Sequence, residues 1–204
     1  MDILILALIA GFVLYRLYKV LGQDVGIKLE QKPGAAAPQS FATKTASREQ
    51  VSTDLAQQIH DVKKIDPEFN QDDFLQGATK AFEMILEAVN KGDKGVLKSL
   101  LSPKLYTQFD KLIDAREKKK QVWDNTLLRI KKAEISDIEI KDGTLVFVTI
   151  QVVSEQILVT KDAKGKIIDG DPDQIEVLTD VVTFSRDATS PDPNWMLVKT
   201  TTTD

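Results

Sequence analysis

Apolar positions along the chain repeat with two different periods, and the switch between them divides the sequence. Between residues 66 and 116, Phe74, Leu75, Ala78, Phe82, Ile85, Leu86 and Val89 follow a 3.6-residue spacing, with Gln76, Lys80, Glu83 and Glu87 opposite. That spacing predicts an amphipathic helix with one face in a core. Asn70 stands at its N-cap and Asp73 at N3, near the positive end of the helix dipole; Phe69 and Phe74 occupy the staple positions, and Gly92 stands where a C′ glycine belongs. Asp93 caps a second, short helix carrying Val96, Leu97, Leu100 and Leu101. Ser102 and Pro103 supply the N-cap and N1 proline of a third, with Leu105, Phe109, Leu112 and Ile113 on its inner face.

From residue 126 the period changes to that of strands. β-branched runs are separated by Asp142-Gly143, by the loop KDAKGK and by DGDPDQ, and NWMLVKTTTT supplies a last strand. Helices followed by an antiparallel meander predict an α+β domain over 66–204, with the helices packed on one face of a curved antiparallel sheet.

Before residue 66 the pattern differs again. Residues 3–15, ILILALIAGFVLY, are apolar or aromatic without a break, and Ile3, Leu4, Ile5, Leu6, Leu8, Ile9, Phe12, Val13, Leu14 and Tyr15 are the membrane-facing candidates. At ~1.5 Å per residue, Ile3 to Leu21 makes a helix of about 28 Å, close to the ~30 Å hydrocarbon core of a bilayer. A cleaved signal peptide carries its basic residues ahead of the apolar core, whereas here Asp2 precedes it and Arg16, Lys19, Lys28 and Lys32 follow. The expectation is a transmembrane anchor over 1–21, with Arg16 and Lys19 at the interface on the positive-inside side and the remainder of the chain in the cytoplasm or a mitochondrial matrix. Residues 22–65 read as a linker. Its centre, KPGAAAPQSFATKTAS, lacks periodicity, while Val51, Leu55, Ile59 and Val62 predict a short helix over 49–65 that docks on the domain or on a partner.

Composition then narrows the chemistry. The 204 residues include no cysteine, which excludes disulfides, thiolate nucleophiles and Cys-ligated metals, and a single histidine, His60, which excludes multi-His metal sites. A net charge of −4 argues against a general nucleic-acid binder and against DNA as a partner. The charge is nonetheless segregated. Arg116, Lys118, Lys119, Lys120, Arg129, Lys131 and Lys132 fall in one short stretch against Glu117 and Asp124, while the chain beyond Glu134 is acidic. Two readings stand for this basic stretch: a solvated helix end, or a contact surface for anionic lipid, RNA or an acidic partner. Arg116 falls beside the buried stripe and is either structural or presented to a partner. DGDPDQIEVLTD imitates a calcium loop at Asp169, Asp171, Asp173 and Asp180, but Gln174 replaces the required glycine and Pro172 intrudes, so a surface turn is expected. No cofactor and no catalytic constellation is indicated.

The stretch DPEFNQDDFLQGATKAFEMILEAVNKGDKGVLKSLLSPKLYTQF, followed by a strand-rich half, resembles the domain of the translocase-of-inner-membrane subunit forty-four family. The resemblance covers about residues 65–204 and rests on Asp66-Pro67-Xaa-Phe69, Phe74-Leu75-Xaa-Gly77-Ala78, Ala81-Phe82 and Gly92-Asp93. It implies a cone-shaped fold similar to nuclear transport factor two, and a non-enzymatic, membrane-proximal adaptor that recruits protein partners. An apolar segment directly at the start of the chain departs from the mitochondrial pattern and favours a bacterial version of the TimA type: single-pass in the inner (cytoplasmic) membrane, facing the cytoplasm, with inner-membrane or envelope proteins as partners in membrane protein assembly, transport or quality control. A lipid- or small-ligand-binding domain at the membrane surface is the alternative.

Overall fold

The computed structural model describes residues 42–203, with side-chain surroundings from 54 to 202. The segment expected to be an anchor, with Arg16 and Lys19, and the expected linker up to residue 41 lie outside the described residues. Among those described, no helix is long and apolar enough to cross a membrane.

Helix α1 (Ala42–Ile65) is longer than the 49–65 segment the spacing predicts, and it docks on the domain. Val62 is fully buried in the core, and Leu55, Ile59 and Ile65 pack against that core. Gln58 ties the helix to the sheet: its Nε2 donates to Asp137 Oδ1 at 2.8 Å and its Oε1 accepts from the backbone N of Ile138 at 3.1 Å. Ile138 lies on an edge strand, so the glutamine satisfies an amide that no neighbouring strand reaches.

Helix α2 (Gln71–Lys91) begins and ends as its sequence dictates. Asn70 accepts from the backbone N of Asp72 at 2.8 Å and of Asp73 at 3.3 Å, and the Phe69 and Phe74 rings close the staple at 5.9 Å. Phe74, Ala78, Phe82, Ile85 and Ala88 form its buried face. Gly92 ends it at φ 70°, where a Cβ would stand 3.0 Å from Arg116 Nη2, so both backbone and space require glycine. Helix α3 (Lys94–Leu100) is capped by Asp93, which accepts from Val96 N at 3.0 Å, and helix α4 (Pro103–Lys118) by Ser102, which accepts from Leu105 N at 3.4 Å. Lys94 bridges Asp110 at 2.7 Å and Asp114 at 2.5 Å, fastening α3 to α4.

The strands form two sheets where a single curved one is expected from the sequence. β2 (Thr126–Lys141), β3 (Leu145–Ile157), β6 (Glu176–Asp187) and β7 (Met196–Thr203) make an antiparallel sheet in the order β2-β3-β6-β7. β1 (Val122–Trp123), β4 (Val159–Lys161) and β5 (Ile167–Gly170) make a smaller one in the order β1-β4-β5. The break falls at Asp124–Asn125 and Leu158, where Asn125 Oδ1 accepts from Val159 N at 3.1 Å and Asn125 O accepts from the Asn90 amide at 2.7 Å. The chain thus leaves the main sheet as the continuation of β2, β3 and β6, bent away from it. The β2–β3 loop is Asp142-Gly143-Thr144, with Asp142 and Gly143 at positive φ and Thr144 N donating to Lys141 O at 3.3 Å to close the turn. Val146, Val148, Ile150 and Val152 of β3 alternate with half-buried residues, and they meet Phe184 and Val182 of β6 beneath the helices. The helices therefore cover one face of the main sheet, an α+β architecture.

The inner face turns polar toward the small sheet. Ser154 and Gln156 are buried and bonded to each other at 2.9 Å, and Asp180 accepts from Thr202 Oγ1 at 2.6 Å. Burial raises the Asp180 pKa above its ordinary 3.8, against the smaller lowering effect of Thr202. A carboxyl with a raised folded-state pKa costs stability once ionised, and the cost is relieved as pH falls through that pKa. Asp180→Asn keeps the acceptor and removes the charge. It is expected to raise the chemical-denaturation midpoint at pH 7, with the gain shrinking as pH falls and gone below the ordinary 3.8.

Candidate functional site

A groove of about 490 Å³ opens between α2, the end of α3 and the β6–β7 loop. Its floor is aromatic. The Trp195 ring stands edge-on to Phe74 at 4.8 Å and lies 6.2 Å from Phe69, and Phe74 meets Phe184 edge-on at 6.2 Å. Arg186, near the end of β6, packs its guanidinium 5.1 Å from the Trp195 ring centroid and forms an ion pair with Asp66. The pair is largely withdrawn from water, with 17% of the arginine and 11% of the aspartate side chain exposed. Arg186 Nε is buried without a hydrogen-bond partner.

The groove exists because α2 places small residues on its open side. Gly77 and Ala81 lie between bulkier neighbours, and a Cβ built at Gly77 meets nothing within 4 Å. Met84 and Leu100 close the far wall, and Glu68, Asp73, Lys80 and Asn194 line the groove as polar groups. Of the residues on which the family resemblance rests, Asp66, Phe69, Phe74, Gly77, Ala78 and Ala81 all line this groove, while Gly92 and Asp93 cap helices at the other end of α2. Arg186 and Trp195 carry no mark in the sequence pattern. A tryptophan two residues beyond a Pro-Asp-Pro turn is their nearest signal.

The basic stretch does not form one surface. Arg116 faces inward: its Nη1 donates to Val89 O at 2.8 Å and Asn90 O at 3.2 Å, and its guanidinium stacks 4.9 Å from the Trp123 ring centroid. It covers the last carbonyls of α2, at the negative end of that helix's dipole, and burial pulls its pKa below the ordinary arginine value. Arg129 grips Glu155 through Nε at 2.7 Å and Nη2 at 3.0 Å, and Lys131 reaches the same carboxylate at 3.2 Å. These two cations hold the Glu155 pKa down to about 2. Lys132 pairs with Glu134 at 2.7 Å. Lys118, Lys119 and Lys120 are exposed at the end of α4, on the segment leading to the small sheet. The structure thus separates a buried arginine, three cations matched by carboxylates on β2 and β3, and three open lysines.

His60 is exposed on α1. Of the calcium-like aspartates, Asp171 and Asp173 sit in an exposed turn, with Asp171 Oδ1 accepting from Asp173 N at 2.9 Å, whereas Asp180 points into the core. Among the described residues no group of three or more candidate ligands converges on a metal position.

A family model described as Tim44-like domain matches residues 55–202. The chain is 28% identical over 151 residues to the probable mitochondrial import inner membrane translocase subunit tin-44 of Caenorhabditis elegans, covering 72% of this chain and 35% of that protein. It is 27% identical over 137 residues to the mitochondrial import inner membrane translocase subunit TIM44 of Mus musculus, covering 66% of this chain and 30% of that protein. The chain therefore spans about a third of the length of these relatives. Among solved structures, the intermembrane space region of chloroplast protein ARC6 aligns with a TM-score of 0.47 at 14% identity, covering 67% of this chain and 98% of that one.

Proposed function

The chain belongs to the Tim44-like domain family, and from that premise we propose that it is a membrane-associated, non-enzymatic adaptor that recruits protein partners through the groove beside α2. The observation that carries this reading is the coincidence of the family-bearing residues with the walls of an open groove of mixed aromatic and polar lining. Six of those residues line it, and Gly77 keeps it clear. An aromatic floor with a few polar groups around it is the composition by which protein surfaces seat an apolar segment of another protein.

The finer reading follows the N-terminal hydropathy. Residues 1–21 anchor the chain once through a bacterial inner membrane, 22–41 act as tether, and the domain works on the cytoplasmic side, where confinement raises the effective concentration of membrane partners. Crosslinking and affinity purification from membranes, comparing the full chain with one lacking Met1 to Leu21, tests this. The full chain is expected to recover a defined set of inner-membrane or envelope proteins that the shortened chain loses; unchanged recovery by the shortened chain contradicts it.

A second reading rests on Lys118, Lys119 and Lys120, which are exposed and form no ion pair among the described residues. They supply a site for anionic lipid headgroups. Salt-sensitive binding to anionic liposomes, lost when all three lysines are neutralised, favours this reading over protein recruitment.

A further inference from the structure

We propose that the outer end of the fold, built from β5, its flanking loops and the start of β6, is a self-association surface that takes a second copy of this chain.

Apolar side chains crowd this end without a described partner. Val122 is 53% exposed, Ile167 38%, Ile168 46%, Ile175 54% and Val177 57%, and no comparable group of exposed apolar residues occurs elsewhere among the described residues. Three of them, Val122, Ile167 and Ile168, come together on the small sheet through the strand registers. Val122 pairs with Lys161, and Lys161 with Ile167, so Val122 and Ile167 stand in one cross-strand row on one face of the small sheet. Ile168 is the extra residue of the bulge between Thr160 and Lys161, Ile175 closes the segment that leads from β5 to β6, and Val177 lies on β6 in the main sheet, opposite Glu155. The exposed parts of these five side chains sum to roughly 400 Å² of apolar surface at this end of the chain, three of them on the small sheet itself, the scale on which apolar surface marks an interaction site. Two such patches with their polar rims approach the ~1,200 Å² that a specific interface needs.

The charges around the patch identify the occupant. Lys164 and Lys166 precede β5 and Asp171 and Asp173 follow it; all four are exposed, and none forms an ion pair among the described residues. A strand with cations at one end and anions at the other is complementary to its own reverse. When two copies meet about a two-fold axis with their β5 strands antiparallel, the lysines of each face the aspartates of the other and the isoleucines meet between them. A membrane surface of one sign would attract one half of this rim and repel the other. The inference is independent of the groove, which lies beside α2.

The absence of cysteine from the sequence makes the test clean. In the full chain held in its native membrane, Ile168→Cys is expected to give about five-fold more disulfide-linked dimer under mild oxidation than Gln76→Cys, which is exposed on α2 away from the patch. Adding Lys164→Asp and Lys166→Asp to the Ile168→Cys chain turns attraction into repulsion and is expected to lower the dimer yield about ten-fold. Further adding Asp171→Lys and Asp173→Lys reverses every charge and is expected to restore it. All these substitutions are at exposed positions, and an unchanged far-UV spectrum establishes that each chain is folded. Equal crosslinking at positions 168 and 76, crosslinking at 168 to other proteins alone, or failure of the full charge swap to restore the dimer overturns the inference.

Discussion

Replacing Asp66 with alanine is expected to lower stability by about 3–5 kcal/mol, the loss that follows when one partner of a buried ion pair is removed and the other charge stays behind. Asp66 sits in the turn between α1 and α2, and its carboxylate is the described anion paired with Arg186. Arg186 cannot swing out without giving up its stack on Trp195, and its Nε already lacks a partner. Removing the carboxylate therefore leaves a largely buried guanidinium beside Trp195 without its counter-ion. A double-mutant cycle with Arg186→Met separates the two contributions: in the chain already carrying Arg186→Met, the Asp66→Ala cost is expected to fall well below that in the parent chain, because no cation remains to be stranded. Denaturant unfolding of the four chains reads it. The exposed Lys80–Glu83 pair, joined at 3.1 Å, is the control, since breaking a solvated i,i+3 pair changes stability by under ~0.5 kcal/mol. An Asp66→Ala cost as small as that control refutes the structural role given to the pair.

Gly77→Leu is expected to act in the opposite way, leaving the fold intact while reducing partner capture at least about ten-fold, or ~1.4 kcal/mol of binding. Glycine in an exposed helix interior costs ~1 kcal/mol relative to alanine, and leucine is nearly as good a helix former as alanine. The space that a Cβ would enter is open, so the thermal midpoint should hold or rise. A leucine side chain at that position enters the groove and displaces whatever seats there. Capture that survives the substitution in a folded chain removes the groove from the account.

How much of this is legible in the sequence depends on the range over which each signal acts. Asn70, Asp93, Ser102-Pro103 and Gly92 each mark a helix end because a cap satisfies backbone groups within one turn, and all four do so in the structure. The α+β order follows from the change of period. The start of α1 at Ala42 does not, since its first turns carry no apolar stripe; the helix docks through its later residues, Val62 in the core and Gln58 reaching Asp137, 79 residues away. The bend that splits the small sheet from the main one is likewise fixed by Asn125 side-chain and backbone bonds to Val159 and Asn90, which no local pattern announces. The groove is half visible. Phe69 and Phe74 read as a staple and Gly77 as part of a family motif, but their role as walls depends on Arg186 and Trp195, more than a hundred residues downstream and brought over by the β6–β7 pairing. In the basic stretch, composition cannot separate the capping Arg116 from the open Lys118 to Lys120, because the difference lies in which way one turn of α4 faces.

The most direct test of the adaptor reading is photo-crosslinking from the groove itself. A photoreactive residue is placed at Met84, which lines the groove, or at Gln76, which is exposed outside it, and the full chain is irradiated in its native membrane. Position 84 is expected to label a defined protein partner, position 76 is not, and Gly77→Leu is expected to abolish the labelling. Equal labelling from both positions, or labelling at 84 that persists in the Gly77→Leu chain, contradicts the adaptor reading.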